Sequence, residues 1–350
     1  MAESGAFKTL NDKDIVSTRT LLHEAIPITG TIVSGTYGVG NIKTPAHGMF
    51  QSVFDYPYLS SSANHIFDVT IGTATNSSLY NTANSQYVKK KNIYNQMSQV
   101  LVGYDHTGSI LQFDADGNIL AGGAKYTDVI VLPFSRLLVK DEIKKGTFSL
   151  TLGVHTSYAT PFASTITITD ASGSDGYLVN SPVGEYGVLF GAGAAMNGGT
   201  TAAVGLLYYQ AGIAVITKNV FSGSLGSKAV VMNAGNELVD AVFTGSNIDS
   251  NANAIRHRIQ NVQFNNTTEL NSTIYFCRAN HNEFNYSTNP TYTNASKIRV
   301  KTNSTDEPVS YITTIGLYND KSELMATAKL SEPLKKTPTT EFTIRCRLDY

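Results

Sequence analysis

The stretch Phe342-Thr-Ile-Arg-Cys-Arg-Leu-Asp-Tyr350 alternates without a break. Phe342, Ile344, Cys346, Leu348 and Tyr350 fall on one side of an extended chain, and Thr343, Arg345, Arg347 and Asp349 on the other. A period of two marks a β-strand with one buried face and one wet face. A slip of one residue would expose the apolar set and bury both arginines, so the register is well specified. Each large apolar side chain removed from water contributes about 1.5–3 kcal/mol. Upstream, 309–318 is rich in Tyr, Ile and Thr and reads as a second strand. Asn319-Asp-Lys-Ser-Glu323 has turn chemistry, and 324–330 runs back as a third strand. Pro333, Lys335, Lys336 and Pro338 mark a loop into the last strand. The expectation is a three-stranded meander whose last residues are held in a sheet, where chain ends usually fray.

Outward from this meander the same grammar recurs. Short strands are expected at 66–72 and around Ile166 and Ile168 by alternation, at 128–134 and 148–154 as buried strands, and over 273–278 and 297–301, with another over 28–33 leading into the glycine-rich 35–40. Ser109-Ile-Leu-Gln-Phe113 and Asn118-Ile-Leu120 flank Asp114-Ala-Asp-Gly-Asn and read as a hairpin. Helices are fewer. Ile93, Met97, Val100 and Leu101 form an apolar stripe over 89–103, with Gly103 as the stop. Looser helical spacing covers 11–26 and 253–264, the latter with Arg256, His257 and Arg258 on a polar face. From about His155 the composition changes, and 187–217 carries no charged residue. Its apolar part is too short and too broken by Tyr, Gln and Gly for a membrane-spanning helix. The expected fold class is mainly β with a few short helices, in antiparallel sheets around a sandwich-like core. Residues 1–154 and 255–350 are expected to form a discontinuous core domain, and 155–254 a Gly/Ala/Ser-rich inserted β region.

Composition limits function. Only 15% of the 350 residues are charged, against roughly 25% in an average globular protein. Net charge is −1, so no global field steers the chain to nucleic acid or anionic lipid. Trp is missing, but 19 Tyr and 15 Phe are present; they suit wide, half-buried interfaces and equally suit ordinary sheet composition. Cys277 and Cys346 fall in strand patterns and read as small buried thiols. Met-Ala-Glu-Ser-Gly-Ala lacks the basic-then-apolar signature of a signal peptide, so synthesis in a cytosol is expected.

No reaction class finds its constellation. His23-Glu24 has no second His at zinc-protease spacing, and Asp114-x-Asp116-Gly-Asn118 lacks the later glycine and glutamate of a calcium loop. Gly191-x-Gly193 meets Met196 where a dinucleotide site needs its third glycine. Cys277 and His281 lack an orienting partner nearby. Lys89-Lys-Lys91 and Lys335-Lys336 read as solvated basic ends. No catalytic residue, cofactor or metal ligand is assigned, and the chain is not expected to be an enzyme. The candidate partner-contact residues are Phe284, Tyr286 and Tyr292, set in an Asn/Ser/Thr-rich loop. Aromatics in a polar frame make interface anchors; the other reading has them cap the edge of the local core.

Three stretches together carry a resemblance: His47-Gly-Met-Phe-Gln-Ser-Val-Phe-Asp-Tyr-Pro-Tyr58, Phe276-Cys-Arg-Ala-Asn-His-Asn-Glu-Phe-Asn-Tyr-Ser287, and Tyr311-Ile-Thr-Thr-Ile-Gly-Leu-Tyr318 through Arg345-Cys-Arg-Leu-Asp-Tyr350. They resemble virion structural proteins of large contractile-tailed bacteriophages, those of marine cyanophages in particular. The resemblance covers most of the chain and is weakest over about 170–254. It implies a β-rich tail or baseplate-wedge component working by assembly, with other virion structural proteins as neighbours, homo-oligomers, and neither nucleic acid nor membrane as partner. A neck or capsid-surface protein, or a fibre-associated module binding host glycans, is the alternative.

Overall fold

The computed structural model describes residues 7–28, 39–82, 85–118, 122–192, 201–223, 225, 229–245, 247–285, 293–294, 297–298 and 309–350. The principal elements in chain order are β1 (Ile15–Ile28), β2 (Gln51–Phe54), β3 (His65–Thr73), α1 (Ser85–Leu101), β4 (Asp128–Pro133), β5 (Ser149–Gly153), β6 (Thr165–Thr169), β7 (Gly184–Ala192), β8 (Ala202–Tyr208), β9 (Ile213–Thr217), α2 (Ile248–Arg256), β10 (Ile259–Ala279), β11 (Ser310–Tyr318), β12 (Leu324–Lys336) and β13 (Phe342–Asp349). The fold is mainly β, with antiparallel sheets and a few helices. The chain divides into two compact units, Leu22–Thr268 and Met1–Leu21 with Glu269–Tyr350.

In Leu22–Thr268 one antiparallel sheet runs in the order β10–β5–β6–β7–β8–β9–β4–β3–β2. β5 and β6 alternate as their sequences require: Leu150, Leu152, Ile166 and Ile168 are buried between Ser and Thr. β4, β8 and β9 are buried on both faces. Ile130, Leu132, Leu207, Ala214 and Ile216 enter one apolar cluster. Val129, Val131, Leu206, Tyr208 and Val215 enter the other. Phe134 packs edge-on against Phe67 (6.2 Å), Phe148 (5.8 Å) and Phe264 (5.4 Å). Phe67 and Phe264 belong to strands near opposite ends of the sheet order, so the sheet curls into a sandwich-like arrangement around one core. α1 closes the second cluster with Tyr94 and Leu101. A Cβ on Gly72 would lie 2.9 Å from the Tyr94 Cα, so only glycine allows the helix to approach β3 this closely. Tyr94 donates its hydroxyl to the Tyr126 carbonyl at 2.8 Å.

Several expectations change. Residues 155–254 do not separate from the rest: β6 to β9 lie between β5 and β4 in the same sheet. The missing charge over 187–217 reflects strands covered on both faces, which leaves no wet side for charge. Helical spacing over 11–26 gives way to β1, because Ile, Val and Thr favour an extended chain paired with β10. The helix expected over 253–264 ends at Arg256 and a strand begins at Ile259. The stripe on α1 is narrower than expected, since Val100 is exposed. The expected strand at 28–33 falls mostly outside the described residues, as does most of the one at 297–301.

In Met1–Leu21 with Glu269–Tyr350, β11 and β12 form a hairpin. β13 pairs with β10, from Ser272↔Asp349 to Ala279↔Phe342. The closing meander is therefore a hairpin followed by a strand that leaves it. The terminus is tied as expected: the Tyr350 N–H donates to the Asn271 carbonyl at 2.8 Å. β12 also runs through Pro333 to Lys336, where a loop was expected; Pro333 falls in the register shift between Lys329 and Leu334, and a bulge tolerates a proline.

Candidate interaction surface

Both apolar clusters are made wholly of residues from Leu22–Thr268. In the other unit only Ala279, Val309 and Cys346 are buried apolar residues among those described. Of the side chains expected to be buried along β13, Cys346 alone is; Phe342, Ile344 and Leu348 are half-buried, and Tyr350 is 74% exposed. The sequence assigned the faces correctly. It overstated the burial, because alternation shows which side is apolar and not what covers it.

The hairpin shows the same shortfall. Ile312, Ile315 and Leu317 on β11, with Ala326, Ala328, Leu330 and Leu334 on β12, are half-buried. Tyr311, Tyr318, Leu324 and Met325 are exposed. Its turn is well specified: the Asn319 side-chain oxygen accepts the N–H groups of Lys321 (3.0 Å) and Glu323 (2.8 Å), and Ser322 takes the left-handed conformation (φ 61°). Tyr318 lies over Gly316, where a Cβ would meet its ring at 2.8 Å, and takes Phe7 edge-on at 5.1 Å. A two-stranded hairpin is at best marginally stable in water. This one shows water much of its apolar side.

Phe284, the first candidate contact residue, is 36% exposed with φ 55°, and its carbonyl accepts the Ser310 hydroxyl at 2.7 Å. Its loop is held from below by a buried lysine that the sequence read as a solvated basic end. Lys336 is fully buried, and its ammonium donates to the His281 carbonyl (3.1 Å), the Asn285 side-chain oxygen (2.9 Å) and the Thr337 carbonyl (2.9 Å). Burial lowers its pKa against the opposing pull of Glu341 and Glu283. Glu283 in turn accepts Lys8 (2.6 Å), which holds its carboxyl below the usual range. Tyr286 and Tyr292 lie outside the described residues.

Leu22–Thr268 also carries features that the sequence reading missed. In the loop between β2 and β3, Tyr56, Tyr58 and Leu59 are exposed, Leu59 at 86%. Asp55 braces this tip by accepting the N–H groups of Tyr56 (2.8 Å) and Asn64 (2.6 Å) and the Asn64 side-chain amide (2.8 Å). Burial pushes the Asp55 carboxyl up, and these donors outweigh it and hold it low. Arg258, expected on a polar helix face, is fully buried. It donates to the carbonyls of Gly153 (3.3 Å), His155 (2.7 Å), Ser157 (3.3 Å) and Val231. Burial brings its pKa down to about 10, with Tyr158 opposing. No periodicity announces such a group, since a run of basic residues looks the same wet or buried.

A groove of about 370 Å³ is lined by Ala115, Asp116, Ala124, Val188, Phe190 and Ala203. Asp116 is held below the usual carboxylate range, first by its hydrogen bond with Asp114 and then by the Asn118 N–H. Lys125 pairs with the buried Asp114. A general acid needs the opposite, a carboxyl raised toward neutrality. Cys277 and Cys346 are both free thiols; burial, then the Cys346 neighbour, pushes Cys277 up to about 11, away from nucleophilic character. Among the described residues, no group of three or more His, Cys, Asp or Glu is placed to hold a metal. None of their helices is long and apolar enough to cross a membrane.

The fold and its surfaces define a class: a mainly β protein with one unit built on a doubly covered sheet and another that exposes its apolar strands. Comparison adds no relative, since the chain matches no protein-family model, no curated protein and no solved structure.

Proposed function

We propose that this chain is a structural subunit of a tailed-phage virion, in the tail or baseplate wedge, and that it acts by packing against other virion proteins and against copies of itself. The observation that carries the reading is that, among the described residues of Met1–Leu21 with Glu269–Tyr350, few apolar side chains are buried and long strands leave their apolar faces half open to water. Exposed apolar strands of this kind are completed by protein–protein contact. The braced tip of Tyr56, Tyr58 and Leu59 adds a second such surface. The sequence resemblance, strongest over 47–58, 276–287 and 311–350, gives this assembly its setting.

Mass spectrometry of purified particles is the test. The chain is expected among the virion proteins at fixed stoichiometry, with cryo-electron microscopy placing it in tail, neck or capsid. A chain abundant in infected lysate and missing from particles would overturn the reading.

A further inference from the structure

The two strands of the hairpin have unlike outer edges. Among the described residues, β11 and β12 pair only with each other, so each presents one unpaired row of backbone groups. Such rows template pairing with other chains, and proteins blunt them with lysine, proline and bulges. β12 carries all three devices: Lys329, Glu332 and Lys335 with Pro333. Both register shifts also put their extra residues on it, since Ile312 to Thr314 spans Leu334 to Lys329, and Leu317 to Tyr318 spans Ala326 to Leu324. β11 carries none. Ser310-Tyr-Ile-Thr-Thr-Ile-Gly-Leu-Tyr318 has no charge, no proline and no inserted residue. Its Tyr, Ile and Thr are strong strand formers.

The geometry points to β11 as a self-pairing edge: two copies of the chain join antiparallel through Ser310–Tyr318 about a two-fold axis. Charge selects this edge for a symmetric partner. Among the described residues β13 also pairs on one side only, but antiparallel self-pairing centred on Cys346 would set Arg345 against Arg347. β11 meets its own copy with no like charges in any register. The product is a four-stranded sheet, β12–β11–β11–β12, in which Ile315 and Leu317 of both copies share one face. That supplies the further strands and the hydrophobic face a lone hairpin lacks. The contact is isologous and closes at a dimer. This inference rests on the assembly reading above, for which it names a partner.

The test is the solution mass of the full chain by light scattering and sedimentation. The wild type is expected at twice 37.7 kDa at micromolar concentration. Tyr311→Lys with Thr313→Lys changes two exposed side chains and places like charges across the axis. It should weaken the dimer by at least about tenfold while keeping the β signal in circular dichroism. Thr314→Lys, also exposed, replaces the double variant should that one lose its strands. Glu332→Lys on β12 should leave the mass unchanged. A monomeric wild type, a lysine variant that still dimerises, or equal dissociation by Glu332→Lys would each overturn the self-pairing. The assembly reading fails separately: a chain found in particles whose mass ignores the lysines refutes this inference alone, and a self-paired chain missing from particles refutes the other alone.

Discussion

Leu22–Thr268 and Met1–Leu21 with Glu269–Tyr350 are written in the same strand grammar and stand differently toward water. In the first, Val129 to Leu132 are buried on both faces of β4. In the second, β13 alternates strictly and β11 does so on either side of Thr313–Thr314, and their apolar sides remain half open. Alternation therefore fixes a strand and its faces, whereas burial depends on whether a second layer arrives. The first unit has its layers within the chain. The second has its strands, its turn and its buried lysine in place, and among its described residues few apolar side chains are buried.

Four measurements would break or sharpen this contrast. Phe134→Ala removes the ring that joins Phe67, Phe148 and Phe264, and should cost about 3–5 kcal/mol in denaturant unfolding. A cost below about 1 kcal/mol would show that the cored unit is no better packed than the other.

The next effect belongs to Lys90, fully buried in the cored unit with its ammonium on the Phe243 carbonyl at 2.5 Å. Burial lowers its pKa from 10.5 to about 8. Between those values the unfolded chain holds the proton more tightly, so stability is fully present above 10.5 and is lost as pH falls through 8. Unfolding free energy should rise by about 2 kcal/mol from pH 8 to 10, and Lys90→Met should flatten that rise. An unchanged rise would place the titration on another group.

Ile344→Asp comes third. Its site is half-buried, so the cost in the dilute chain should be about 1–2 kcal/mol, well short of a fully buried carboxylate. A chain that no longer folds would mean that β13 is already sealed.

The smallest effect is the response to acid. Asp14 is held low, first by the Asn11 backbone, and Asp349 first by the Ser272 hydroxyl; with Glu283 they give the other unit stability that is present above their unfolded pKa values and lost as pH falls through the folded ones. Asp55, Asp105 and Asp116 in the cored unit are held low as well, but Asp128 and Asp170 there are raised, first by burial, so the contribution of these two is greatest below 3.8 and is lost as pH rises through the folded values. Acid-active proteolysis read by peptide mass should cut 269–285 and 309–350 first on going below pH 4. Earlier cleavage within 128–217 would reverse the order.

Much of the fold was legible because period and turn chemistry are local. The faces of β13, the Asn319–Glu323 turn, the body of α1 and the mainly β class all follow from neighbours a few residues apart. Local signals also misled. Helical spacing over 11–26 lost to pairing with β10, and Pro333 stayed inside a strand because it falls in a bulge. Of the candidate site, Phe284 was legible as an aromatic in a polar loop. The exposed tip at Tyr56, Tyr58 and Leu59, the buried Lys336 beneath Phe284 and the buried Arg258 were not. Each depends on what lies across space from it.

The sequence by itself determined where strands run, which side of each is apolar, and that turns and one long helix interrupt them. Only the tertiary structure decided that β13 pairs with β10, that 155–254 belongs to the central sheet, and that one unit keeps its apolar strands partly in water. The reason is physical: periodicity is a property of adjacent residues, while burial and pairing are set by distant ones.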